Sequence, residues 1–189
     1  FLNGNKKIFT SDVQIRSFIK IILFSTILLF FYLLIQNKGF SQINISAIFF
    51  NVISILTGTG YVTGEFDNWG NFPLIFFLTL MFIGGCAGST TCGIKIFRIQ
   101  ILYLFISNQL KKIIYPKGIF LIKYDKNTVD DKFMASIISF IFLYFVIFFL
   151  ITALLSLSGL DFVTSISGAA TSISNVGPGL GSTIGPSGN

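Results

Sequence analysis

Asn44-Ile45-Ser46-Ala47-Ile48-Phe49-Phe50-Asn51-Val52-Ile53-Ser54-Ile55-Leu56 followed by Thr57-Gly58-Thr59-Gly60-Tyr61 is the stretch that decides how the chain folds. It opens on a good helix N-cap, continues through some twelve mostly apolar residues, and ends in a polar strand carrying glycine. Twelve residues make about 18 Å of helix, too short for a hydrocarbon core about 30 Å thick. The same order returns 117 positions later: Asn44 falls on Asp161, Thr57 on Ser174, Gly60 on Gly177 and Gly64 on Gly181, with residues 162–173 as the second short helix. The pair fits two re-entrant helices dipping part-way into a membrane from outside; the plainer alternative is an interfacial amphipathic helix. A polar strand is costly in lipid unless it lines a water-filled path, which favours re-entry. A short helix entering this way aims its partly negative C-terminal end at the membrane centre, and the glycine permits an extended backbone whose carbonyls can face one axis. Both features suit a dehydrated cation. The candidate ion-binding residues are Thr57, Gly58, Thr59, Gly60 and Tyr61, matched by Ser174, Asn175, Val176, Gly177 and Pro178.

Composition agrees with a membrane setting. Of 189 residues 53% are apolar and only 11% charged, with 24 Phe, whereas soluble domains carry about 25% charged residues. Apolar stretches at 17–36, 72–94 and 133–160 are each near or above the spanning length. The first is too long for a signal peptide and lacks a cleavage site. There is no His, and Cys86 and Cys92 lie inside an apolar stretch, so metal and disulfide chemistry are not indicated. A chain starting at Phe1 and stopping in a Gly/Ser/Pro run reads as a piece of a longer protein. The net charge of +6 is better explained by the positive-inside rule than by nucleic acid. With residues 1–16 inside, Lys6, Lys7, Arg16, Lys20, Lys95, Arg98, Lys111, Lys112, Lys117, Lys123, Lys126 and Lys132 all fall on the inner side and only Lys38 outside, while Glu65, Asp67 and Asp161 make the outer mouth attractive to cations.

The second crossing, residues 72–106, would be about 52 Å long as continuous helix, well beyond the hydrocarbon thickness. Its middle, Gly84-Gly85-Cys86-Ala87-Gly88-Ser89-Thr90-Thr91-Cys92-Gly93, is a poor helix former. Close helix packing through the Gly84/Gly88 pair is one reading. The other is an unwound intramembrane loop beneath the ion path, able to act as a gate. Asn71 and Pro73 suit the start of this helix as cap and early-turn proline. Lys95 and Arg98 are most simply snorkelling anchors on the inner side, although one of them could reach the loop.

The run 57–63, the run 84–93 with Ile94-Lys95, and Asn175-Val176-Gly177-Pro178-Gly179 resemble the Trk/Ktr/HKT superfamily of potassium transporters, with the nearest likeness to its bacterial TrkH type. The likeness covers essentially the whole chain. It implies an all-α membrane protein in which helix, pore loop and helix repeat four times around a pseudo-fourfold pore. This chain would hold the third repeat, 1–106 (outer helix 17–36, pore helix 45–56, filter 57–61, broken inner helix 72–106), and a cytoplasmic basic loop, 107–132. A partial fourth repeat, 133–189, would follow (outer helix 133–158, pore helix 162–173, filter 174–178, inner helix missing). Gly60 and Gly177 would be the filter glycines and 84–93 the gate loop. Gly58, Tyr61 and Thr91-Cys92 depart from the family's usual Thr, Phe and smaller residues, which bears on selectivity and gating. The resemblance further implies a multi-pass bacterial inner-membrane protein surrounded by lipid, completed by the rest of its own chain, a homodimer, and regulated by a cytosolic TrkA-type nucleotide-binding subunit.

The expected function is potassium uptake through a carbonyl-lined filter with an intramembrane gate. Potassium is the substrate at the filter carbonyls, no cofactor is expected, and no nucleic acid. An ion-coupled secondary transporter of another solute is the alternative, but it would want inward-pointing helix N-termini or buried acids, and no acid lies within the crossings. An intramembrane enzyme would need a nucleophile with a base or a metal set; with no His and no paired intramembrane acids the case is thin, and Ser89, Thr90 and the cysteines read better as packing or gate residues.

Overall fold

A computed structural model describes residues 12–36, 44–64, 66–118, 120–125, 127–181 and 183–186. Lys6, Lys7, Lys38, Glu65 and Lys126 of the charge pattern lie outside the described residues. The chain is almost wholly helical: α1 (Val13–Ile35), α2 (Ile45–Thr57), a 3-10 turn (Phe66–Trp69), α3 (Asn71–Met81), α4 (Ile96–Ile114), a two-stranded hairpin β1 (Lys123–Tyr124) and β2 (Asn127–Thr128), α5 (Asp131–Leu157) and α6 (Phe162–Ser174).

α1 and α5 are long and apolar enough to cross a membrane. Many of their apolar side chains face outward rather than into the protein: Phe24 is 62% exposed, Phe31 57%, Phe142 72% and Phe149 65%. In water this would be ruinous, whereas in lipid it is the expected arrangement, and the chain is a membrane protein. α1 starts at Val13, four residues before 17, because the Asp12 carboxylate accepts from the Gln14 N–H at 2.7 Å and caps it.

The long crossing expected at 72–106 is two helices. α3 has eleven residues, about 16 Å, and tightens at its end, where the Phe82 and Ile83 N–H groups donate three residues back to Thr79 and Leu80. Helix resumes only at Ile96. The N-cap of α3 is Gly70, not Asn71, and no side chain caps it. A residue with a side chain would be strained there, because Gly70 has φ +119° and an added Cβ would lie 3.0 Å from the Tyr32 hydroxyl of α1. Pro73 sits in the first turn, where its missing N–H costs no helical bond. At the other end α4 runs to Ile114, two turns past 106, so the segment expected as loop from 107 begins as helix. Lys111 and Lys112 in the last turn complement the helix dipole, and Pro116 biases Tyr115 away from helical geometry.

One apolar core joins both halves. Leu29 and Leu33 of α1, Ile48, Val52, Ile55 and Leu56 of α2, Phe77, Leu80 and Met81 of α3, Phe148 of α5, and Ala169 and Ala170 of α6 are all buried in it. Phe66 packs on Phe77 with ring centroids 4.6 Å apart and the rings tilted at 50°, which folds the segment after α2 down onto α3. A smaller cluster of Ile101, Met134 and Ile137 ties α4 to α5, and beside it the Arg98 guanidinium lies 3.6 Å over the Phe140 ring.

Candidate functional site

The two short helices are capped alike. Asn44 accepts from the Ala47 N–H at 3.2 Å and Asp161 from the Thr164 N–H at 3.2 Å. Hydrogen bonding from Thr164 holds the exposed Asp161 carboxyl below its ordinary range. Each helix then ends on a left-handed residue, Gly58 at φ +66° and Asn175 at φ +50°. Asparagine is among the few residues with a side chain that tolerate this region. The next N–H turns back onto the helix in both copies, Thr59 to the Ser54 carbonyl at 3.1 Å and Val176 to the Thr171 carbonyl at 3.2 Å. Thr57 and Ser174 of the expected filter are the last residues of their helices, and beyond the caps each chain continues as a strand without regular secondary structure.

The strands meet at their glycines. A Cβ on Gly60 would lie 2.9 Å from the Val176 carbonyl and 3.4 Å from the Gly177 Cα; one on Gly177 would lie 2.9 Å from the Gly60 Cα. Both glycines are in the positive-φ region, at +77° and +110°. Backbone therefore packs directly on backbone, which only glycine allows. Pro178 borders Gly60, and Ser174 is held by the Tyr144 hydroxyl of α5 at 2.6 Å. Thr59, Tyr61, Asn175 and Gly177 are exposed, Tyr61 to 75%.

Side chains on the short helices pin the strands, and sequence reasoning missed them. Asn51 donates to the Thr63 carbonyl at 2.9 Å and accepts from the Thr63 N–H at 3.0 Å. Ser167 does the same to Leu180, donating to its carbonyl and accepting from its N–H, both at 2.9 Å. Thr63 and Leu180 are equivalent in the repeat, but Asn51 and Ser167 are offset by one position, so alignment of the copies hides the likeness. Ser54 donates to the Tyr61 carbonyl, and Thr171 accepts from the Gly177 N–H at 3.0 Å. The signal available in the sequence was polarity: Asn51 and Ser54 interrupt the apolar middle of the helix.

Residues 84–93 are not helical. They form a loop closed at its neck, where the Gly84 N–H donates to the Ile94 carbonyl and the Ile94 N–H to the Phe82 carbonyl, both at 2.9 Å, and the Ile96 N–H to Gly85 at 3.2 Å. Thr91 reaches the C-terminal end of α2, where the first strand begins: its hydroxyl lies 3.4 Å from the Thr57 carbonyl, and its methyl would be 3.6 Å from a Cβ on Gly58. The Ala87 N–H donates to the Gln14 side chain of α1 at 2.8 Å. Lys95 is no simple anchor, since its ammonium donates to the Ser89 carbonyl at 2.9 Å. Gly84 is enclosed by the Cys92 carbonyl and Gly93, while nothing lies within 4 Å of a Cβ on Gly88. Loop, first strand and second strand are thus in contiguous contact. No group of three or more metal-ligating side chains exists among the described residues.

Comparison with known proteins shows what the chain is similar to. The family model described as TrkH, cation transport protein, matches residues 6–188. Trk system potassium uptake protein TrkI of Halomonas elongata is 37% identical over 189 residues, which is 100% of this chain and 38% of that protein. Trk system potassium uptake protein TrkG of Escherichia coli is 34% identical over 176 residues, 91% of this chain and 36% of that protein. The crystal structure of the potassium transporter TrkH from Vibrio parahaemolyticus matches with a TM-score of 0.85 at 31% identity, covering 96% of this chain and 39% of that one. The chain spans a little over a third of the length of these relatives.

Proposed function

Because this chain belongs to the TrkH cation transport protein family, we propose that it supplies two of the four pore-lining units of a bacterial inner-membrane potassium uptake protein. In this reading 12–106 belongs to the third unit and 131–186 to the fourth, with the basic segment between them on the cytoplasmic side. Strands 57–61 and 174–178 are two walls of the filter, whose carbonyls replace the hydration shell of a potassium ion, and 84–93 is the gate beneath them. The protein works as a homodimer with a cytosolic TrkA-type nucleotide-binding subunit. Transport needs no bond chemistry, so no residue acts as acid, base or nucleophile.

One observation carries this reading: Gly60 and Gly177 pack backbone against backbone at matching places in two copies of one motif, both at positive φ. Membrane proteins leave extended backbone unpaired with helix only where it is buried in protein or borders water. The test is rubidium uptake into cells deprived of their own potassium uptake systems, expressing the full-length protein as wild type and as Gly60→Asp. Wild type should restore uptake and the variant should not. Equal uptake by both would overturn the filter assignment. Removal of residues 85–91 should raise basal flux, and single-channel recording with unchanged conductance would count against the gate.

A further inference from the structure

Lys95 and Arg98 sit at the wrong end of α4. Lys95 is the N-cap residue, Arg98 lies in the first turn, and that turn contains no acid. A helix N-terminus carries partial positive charge, so two cations there are unfavourable unless something else holds them. Arg98 is held by the Phe140 ring. Lys95 is held by the loop itself, through the Ser89 carbonyl at 2.9 Å. Breaking a local rule in this way marks a position that serves something other than helix stability.

The loop's other attachments are few. Its neck is fixed by backbone bonds between 82–85 and 94–96, but beyond the neck Thr91 touches the C-terminal end of α2 through a 3.4 Å contact, and Ala87 meets Gln14. The internal Ser89 bonds, N–H and hydroxyl to the Cys86 carbonyl, shape the loop without fixing where it lies. The Ser89 carbonyl is therefore the one loop acceptor, among the described residues, bonded to a full positive charge. Such bonds are roughly twice as strong as neutral ones.

We propose that Lys95 is a positioning residue for the gate: its ammonium latches the Ser89 carbonyl and holds the 84–93 loop against the C-terminal end of α2 at Thr57, where the filter begins. This rests on the gate reading above and adds to it the residue that sets the closed position. Opening then requires the ammonium to leave that carbonyl, so the latch sets how often the loop moves. Two native thiols report on it, since Cys86 and Cys92 flank Ser89, the first half-buried and the second exposed.

The experiment is labelling of the full-length protein in membrane vesicles with a membrane-permeant maleimide, read by mass spectrometry at Cys86 and Cys92, alongside rubidium uptake. Lys95→Met should speed labelling of Cys86 by about tenfold, as loss of a charged hydrogen bond implies, and raise basal uptake. Lys95→Arg should stay near the wild type. Arg98→Met, which removes a cation that contacts Phe140 and not the loop, should leave labelling unchanged. Where Lys95→Met fails to reach the membrane, Lys95→Gln carries the same expectation. Wild-type labelling in the uncharged Lys95 variant overturns the latch, as does equal acceleration in Lys95→Arg or Arg98→Met. Should the wild type transport no rubidium, the transport reading falls while labelling still decides the latch.

Discussion

Residues 44–64 and 161–181 build the same backbone from different side chains. The first unit reaches the left-handed turn with Gly58 and the second with Asn175. The first pins its strand with the Asn51 amide and the second with the Ser167 hydroxyl from one position earlier. The shift has a local cause. The position matching Asn51 is Gly168, where even a Cβ would come within 3.2 Å of Ile184 and 3.3 Å of Leu155, so no amide fits. What the two units share is where a polar group must stand relative to the strand, not which residue supplies it. Geometry and residue type coincide at Gly60 and Gly177, where the neighbour is backbone, and again at Gly64 and Gly181, both at positive φ.

The comparison can be broken most severely at those glycines. Gly60→Asp and Gly177→Asp should both abolish rubidium uptake with the protein still in the membrane, since each places a side chain 2.9 Å from the opposing strand at positive φ. Uptake surviving in one variant would show that the units are not equivalent. The clamps should rank next and unequally. Ser167→Ala strands the N–H and carbonyl of Leu180, which is 2% exposed, at a cost of about 2–3 kcal/mol. Asn51→Ala frees Thr63, which lies at the surface and can bond water, so about 1–2 kcal/mol is expected. Thermal unfolding of the full-length protein in detergent should give that order.

Smaller effects sharpen the likeness. Gly58→Asn should cost under about 1 kcal/mol, as its Cβ meets only ordinary contacts at 3.4 and 3.6 Å; thermal unfolding compared with Asn175→Gly measures both halves of the exchange. The caps differ only in acid. Asp161, with its pKa lowered, stabilises its helix when ionised, and that contribution is present above the ordinary carboxylate range and lost as pH falls through its lowered value. Asn44 does not titrate. Asp161→Asn should therefore flatten the pH dependence of the thermal midpoint below about pH 4 while leaving it unchanged near neutrality.

Much of this architecture is legible in the sequence. Asn44 and Asp161 announced the two short helices, and the spacing of Gly60 and Gly177 located the strands, because caps and positive-φ positions restrict residue type. The run from Gly84 to Gly93 announced that the helix breaks, since glycine density opposes helix wherever it falls. The extension of α4 to Ile114 was not legible: residues 107–114 are polar enough to read as loop, and only Pro116 marks the stop. The clamps escaped for a different reason. Asn51 and Ser167 act through backbone groups twelve and thirteen residues away, and sequence shows no donor or acceptor of the main chain. Lys95 was visible as a charge but not as a partner of Ser89, because inner-side lysines usually have no partner at all.

The loop neck has one consequence for how such proteins can change. Ile83 and Ile94 lie side by side, joined as a parallel bridge, so the ten residues between them form a bead on a thread rather than a spacer in a rod. Lengthening or shortening the bead leaves α3 and α4 where they are. The loop can thus vary by insertion and deletion, the coarsest kind of mutation, without the crossing, its lipid contacts or the strands beside it having to be rebuilt.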